Sequence, residues 1–176
     1  VWGMADAAVM AQVARSFKGV EHRIEPVRTL NGVQWFNDSI ASSPTRVIAG
    51  LRAFSQKLII LAGGSNKRVS FAPLAPELLA HVKSNPAEKA EAAARGESGY
   101  QTSAEQIEAA VRAEPGFAES GMNILHAESM QQAVRLAYEA AQPGDIVSLS
   151  PACASFDFYP NFEVRGRHYK ELVNAL

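Results

Sequence analysis

Leu58-Ile59-Ile60-Leu61-Ala62 is an unbroken apolar run closed by Gly63-Gly64. A strand with one wet face alternates apolar and polar side chains, so a run without alternation has to be covered on both faces, as in the interior of a parallel sheet. Ile146-Val147-Ser148-Leu149 repeats the pattern, entered through the turn Gln142-Pro143-Gly144-Asp145 and stopped by Pro151. Two such strands need helices above and below them.

Helical patterns of that kind flank both strands. Ser42-Ser43-Pro44 supplies a cap followed by proline at the first helical position, and Val47, Ile48, Leu51 and Phe54 then recur at helical spacing, predicting a helix over 44–54. Ser103 with Gln106, and Ser129 with Gln132, each fit the S-x-x-Q capping box and open helices over about 103–113 and 129–141. A last helix spans about 161–174. Near the start, Arg23–Arg28 and Val33–Phe36 read as strands joined by Leu30-Asn31-Gly32, and Asn-Gly between β-rich runs marks a hairpin. The expected fold is α/β: a mostly parallel, twisted, Rossmann-like sheet with helices on both faces and an N-terminal β-hairpin.

Residues 5–17 read as a helix with Val9, Met10, Val13 and Phe17 on one side. The chain opens inside that helix, as expected of a segment cut from something longer. Residues 84–102, rich in Ala, Glu, Gly and Ser, read as an exposed helix and loop.

Composition narrows the partners. A net charge of −1 over 176 residues offers no concentrated basic field for nucleic acid or an anionic membrane. No run approaches the roughly 20 apolar residues of a membrane span, and Val1-Trp2-Gly3-Met4 does not open a secretory signal. With a single cysteine, Cys153, there is no intrachain disulfide, and none of His22, His81, His126 and His168 stands at metal-ligand spacing to another. A cytoplasmic small-molecule protein without its own metal site is the expectation.

In parallel sheets ligands bind beyond the carboxyl ends of the strands. The chemistry is therefore sought in three loops: Asn37–Ser43, Gly63–Arg68 and Ser150–Phe162. The first carries Asp38 and several hydroxyls ahead of a helix start, where anions are favoured; helix capping by Ser42 or Ser43 accounts for the same residues. The second pairs two glycines with Lys67 and Arg68 but lacks the G-x-x-x-x-G-K-[ST] spacing of a phosphate loop; a strand-end turn with solvated cations accounts for it equally. The third offers small residues after a buried strand, and Cys153, with no histidine nearby in sequence, reads as a structural thiol. Asp157 and Glu163 read as a turn residue and a solvated helix residue, so no catalytic acid/base pair is assigned.

Taken together, His22-Arg23, Asn37-Asp38-Ser39-x-Ala41, Gly63-Gly64-x-x-Lys67, Pro143-Gly144-Asp145, Ser150-Pro151-Ala152-Cys153-Ala154-Ser155-Phe156-Asp157 and Asn161-Phe162-x-x-Arg165-Gly166 resemble, in order and spacing, the carboxy-terminal domain of the UDP-N-acetylmuramoyl-L-alanine:D-glutamate ligase (MurD) family of Mur ligases. The resemblance implies that residues 1–19 are the tail of a central ATPase domain with its linker helix, and 20–176 the D-glutamate-binding domain. It implies an enzyme in which ATP phosphorylates a carboxylate and the amine of D-glutamate attacks the acyl phosphate. UDP-N-acetylmuramoyl-L-alanine is then the other substrate, and Mg2+ and most ATP contacts belong to preceding domains, leaving this part inactive alone and the full-length enzyme monomeric. By matching position, Arg23 and Asp38 are implied nucleotide contacts, and Ser42, Lys67, Ser155, Phe156 and Phe162 the D-glutamate pocket.

The chain departs from that family at Ile40, where many members have Lys, at Ser42, where Thr is common, and at Ser65, where Asp is frequent. A further family strand, expected after a helix ending near Val82, is replaced by the polar segment 84–102. Each side chain lost from a sheet interior forgoes about 1.5–3 kcal/mol, so a variant, an altered reading frame or a short edge strand stays open. A sister Mur-type or folylpolyglutamate synthase-like ligase, and a non-catalytic binding module, are the alternative functions.

Overall fold

The structure, a computed structural model, describes residues 6–17, 19–83 and 102–176. Helix α1 (Ala7–Ser16) is followed by strands β1 (Glu25–Leu30) and β2 (Val33–Asn37), then helix α2 (Pro44–Leu51) and strand β3 (Leu58–Leu61). A 3-10 turn at Ala72–Leu74 leads into α3 (Ala75–His81). Beyond it come α4 (Ser103–Arg112), the short α5 (Phe117–Ser120), α6 (Met130–Ala140), β4 (Ile146–Leu149) and α7 (Phe162–Ala175). The segment 84–101, expected as exposed helix and loop, and residues 1–5 lie outside the described residues.

The strands form one sheet in the order β1-β2-β4-β3. β1 and β2 are the antiparallel hairpin, turned at Asn31 and Gly32 with φ of 51° and 80°. β4 runs parallel to both β2 and β3, all four residues of β4 being buried. Side chains alternate across the sheet. Leu58 and Ile146 face a core shared with Val47, Leu51, Leu74, Leu78 and Val111 from α2, the 3-10 turn, α3 and α4. Leu61, Val147 and Leu149 face the opposite core, with Trp35, Val134, Tyr169 and Val173 from β2, α6 and α7. The α/β fold with helices on both faces is thus the one the apolar runs demand.

Four local details differ from the sequence reading. β1 starts at Glu25 and not Arg23, because His22 and Ile24 have φ of 65° and 44°, which no strand tolerates. α2 ends at Leu51: the amides of Ala53 and Phe54 reach back three residues in a tightened turn, and the Phe54 ring meets the Phe36 ring edge-on at 5.1 Å. α4 is capped by Thr102, not Ser103, in a complete capping box with Glu105. α6 does begin after Ser129, but the Gln132 side chain accepts from the Glu128 amide, so the box is not reciprocal. The strand missed after α3 reduces, among the described residues, to a single parallel bridge between Val82 and Leu58.

α1 buries none of its residues, and Val9, Met10, Val13 and Phe17 are all exposed. Among the described residues no helix is long and apolar enough to cross a membrane.

Candidate functional site at the strand ends

Register brings the three loops to one rim. Asn37 and Leu61, the last residues of β2 and β3, both pair with Leu149, the last of β4. Backbone hydrogen bonds then stitch the exits together: Asp38 N–H to the Leu149 carbonyl, Ala152 N–H to Ala41, Gly63 N–H to Pro151, and a two-way bridge between Ser65 and Ala154 at 2.9 and 3.0 Å. Gly64 makes this approach possible. Its φ is 134°, and a Cβ there would lie 2.3 Å from the Ala154 carbonyl oxygen, inside any van der Waals contact.

Lys67, on the second loop, donates to the Ser42 hydroxyl of the first at 3.1 Å. Ser155, buried, follows directly on the Ala154 bridge and so sits beside the second loop. Phe156 is 71% exposed and projects from the rim. Phe162 begins α7, half-buried; its ring meets His22 edge-on at 5.9 Å and its carbonyl accepts from the Ser39 hydroxyl at 2.7 Å. Lys67 thus meets Ser42 directly, Ser155 adjoins the bridge between the second and third loops, and Phe162 is joined to the first loop from the far helix. Pro44 has no N–H, and the amides of Arg46 and Val47 donate to Ser43, so the start of α2 offers an anion less than the sequence led one to expect. Ser43 makes no side-chain cap bond, and Ser42 is engaged by Lys67, so neither serine caps α2 through its hydroxyl.

Arg23 and Asp38 meet in a different place, a cleft of about 150 Å³ between α2 and the turn before β1. Asp38 is 4% exposed and accepts from the Ile24 amide at 3.2 Å. Burial pushes its carboxyl up to about 6, against the pull of that hydrogen bond and of the Arg23 and Arg46 guanidiniums. The left-handed Ile24 is held by this bond, a local strain of the kind that collects at binding sites.

Arg165 and His22, to which the motifs of the sequence assign no role, are both buried. The Arg165 guanidinium donates to the Ser39 hydroxyl and carbonyl and to the Cys153 and Ala154 carbonyls, at 2.8–3.2 Å. Desolvation lowers its pKa to about 10, so it is still a cation at neutral pH. His22 is lowered by burial as well. The Asn37 carbonyl oxygen accepts from Ser39 N–H, so its amide NH2 faces Nδ1 of His22 at 2.9 Å and the ring carries its proton on Nε2. No sequence signal separates such buried polar side chains from solvated ones, since Arg165 obeys the same helical spacing as its neighbours.

Among the described residues, one group has metal-ligand proximity: Glu21, His22 and Glu25. Lys170 already bonds both carboxylates, at 2.7 and 2.9 Å, and the protonated Nε2 has no lone pair to offer. This group does not fit a magnesium ion, which takes oxygen ligands in a near-octahedral shell.

The fold is thus an α/β domain whose loops, joined at the carboxyl rim of a mostly parallel sheet, gather a cation and several hydrogen-bond donors. Residues 22–153 match the family described as Mur ligase, glutamate ligase domain, and the chain belongs to that family. It is 48% identical over 170 residues to the UDP-N-acetylmuramoylalanine--D-glutamate ligase of Clostridium beijerinckii, covering 96% of this chain and 34% of the relative. Proteins of the same name from Symbiobacterium thermophilum and Clostridium botulinum are 47% and 44% identical, over 98% and 95% of this chain and 34% of each relative. The chain thus spans about a third of the length of the curated relatives it matches.

Proposed function

We propose that this chain is the carboxy-terminal, D-glutamate-binding domain of a cytoplasmic ATP-dependent ligase that joins D-glutamate to UDP-N-acetylmuramoyl-L-alanine in peptidoglycan precursor synthesis. Residues 20–176 are the domain, and 1–19 the tail of an ATPase domain. The unburied apolar side of α1 supports that division. ATP activates the acceptor carboxylate as an acyl phosphate, and the D-glutamate amine displaces phosphate to leave an amide. Mg2+, when bound, neutralises phosphate charge from residues outside this domain.

In this reading Ser42, Lys67, Ser155, Phe156 and Phe162 hold D-glutamate, while Arg23 and Asp38 meet the nucleotide. The Lys67–Ser42 contact carries it: a dicarboxylic amino acid needs a fixed cation among hydroxyl and amide donors, and among the described residues the Phe156 and Phe162 amides carry no hydrogen bond that would preoccupy them. The roles left to this domain are to orient the amine and neutralise charge. The names of the relatives point to the same substrates.

The test is Lys67→Ala in the full-length ligase. Loss of a charge-assisted contact should raise the KM for D-glutamate about tenfold or more and leave that for ATP within about twofold. An unchanged D-glutamate KM removes Lys67 from the pocket.

A further inference from the structure

The cleft that holds Asp38 contains more cationic chemistry than the proposed function uses. Its walls are Arg23, Ile24, Asp38, Ile40, Arg46 and Gly50. Asp38 Oδ1 accepts from Ile24, whereas Oδ2 faces α2, where a Cβ added to Gly50 would come within 3.0 Å of it. Small residues on that side of the helix leave the carboxylate open to the cleft. Among the described residues, neither the Arg23 nor the Arg46 guanidinium forms a hydrogen bond or an ion pair, although both feel the Asp38 charge.

Arg46 is also oddly placed for a helix. It lies in the first turn of α2, which has no acidic residue, and a cation there opposes the helix dipole. An anion seated in the cleft would reverse the sign of that interaction. Ile40, which also lines the cleft, is an apolar side chain that offers no charge to such an anion.

We propose that Arg46 is an anion-contacting residue, and that Arg23 and Arg46 together meet the phosphate groups of a ligand whose hydroxyls bond the buried Asp38 carboxylate. Two guanidiniums for phosphate and one acceptor for hydroxyls is the complement of a phosphorylated sugar unit such as a nucleotide carries. The inference rests on the proposed nucleotide role of Arg23 and Asp38 and adds a residue to it, delivered by α2 and not by the loop that holds Ile40.

The experiment uses the full-length ligase with four variants: Arg46→Ala, Arg23→Ala, Ile40→Lys, and Arg46→Ala combined with Ile40→Lys. Arg46→Ala should raise the KM for ATP about tenfold, with the KM values for D-glutamate and the UDP-sugar substrate within about twofold and the melting temperature unchanged. Because position 40 faces the same cleft, Ile40→Lys should recover most of the loss in the Arg46→Ala background, which a structural role of Arg46 would not allow. A raised KM without rescue overturns the charge role. An unchanged ATP KM in Arg46→Ala beside a raised one in Arg23→Ala overturns the assignment of Arg46 while leaving the nucleotide site in place. Unchanged values in both overturn the nucleotide reading as well.

Discussion

Arg165 grips Ser39 twice, Nε to the hydroxyl at 3.0 Å and Nη2 to the carbonyl at 2.8 Å, while the same hydroxyl donates to the Phe162 carbonyl. The start of α7 and the loop that follows β2 are therefore one unit. Since Nη1 also binds the Cys153 and Ala154 carbonyls, the guanidinium ties two of the three rim loops to α7. A lysine has neither the planar fork nor the number of donors to do this.

Arg165→Lys is accordingly expected to destabilise the chain by about 2 kcal/mol or more, and Arg165→Met further, because buried carbonyls left without donors cost roughly 1–3 kcal/mol each. Urea denaturation of the three proteins checks this. Equal midpoints would mean that water substitutes freely for the guanidinium.

Gly64→Ala tests the stitching from the other side. A methyl group there would overlap the Ala154 carbonyl and press on Cys153 and Arg165, on a backbone that L side chains avoid. The loss should be on the order of 3 kcal/mol, and the Ser65–Ala154 amides should lose hydrogen-exchange protection first. Gly63→Ala, with a neighbour no closer than 3.9 Å, meets less resistance and should cost less, although its φ of 132° still carries strain.

The parts of the fold legible in the sequence are those in which one physical demand dominates. The β3 and β4 runs have no polar alternative, Asn31-Gly32 turns a hairpin, and Ser129 caps its helix as expected. The S-x-x-Q box read at 103–106 competes with T-x-x-E at 102–105, the two overlapping with an offset of one residue. The carboxylate wins: Glu105 accepts from Thr102 N–H at 2.7 Å, and the Ser103 hydroxyl goes to the Gly64 carbonyl instead. Strand order and the buried polar cluster of His22, Asn37, Ser39 and Arg165 depend on pairings distant in sequence, such as β2 with β4 and Ser39 with Arg165, the latter 126 residues apart, which no local pattern encodes. Lys67 and Ser42 were named from resemblance; only the register of β2, β4 and β3 explains why they meet.

That overlap yields a discriminating pair of mutations. Thr102→Ala removes the acceptor for the Glu105 amide and should cost about 1 kcal/mol. Ser103→Ala leaves the capping box whole and removes only the link to the second loop, so its effect should appear in the exchange rates of residues 63–68 more than in the helix. Circular dichroism and hydrogen exchange separate the two. Loss of α4 in Ser103→Ala but not in Thr102→Ala would restore the cap to Ser103.

The pH dependence of stability should carry the mark of Asp38. Its carboxyl titrates near 6 in the folded chain, against an ordinary value of 3.8. Between those values the folded chain holds a proton that the unfolded chain has released, so this group favours folding most in acid, and the advantage fades as pH rises through about 6. The other shifted carboxylates, Glu77 and Glu108 with Glu21 and Glu25, work in the opposite direction: Glu77 is held low by its ion pair with Arg52, Glu108 is held low against its burial by Arg112, and such groups lose stabilisation as pH falls. Asp38→Asn isolates the contribution, because its amide oxygen can still accept from Ile24. The wild-type minus Asp38→Asn stability difference should decline by at most about 3 kcal/mol from pH 4 to pH 7 and stay flat above. Parallel urea midpoints for the two proteins across that range would mean that water reaches the carboxylate and that the cleft does not desolvate it.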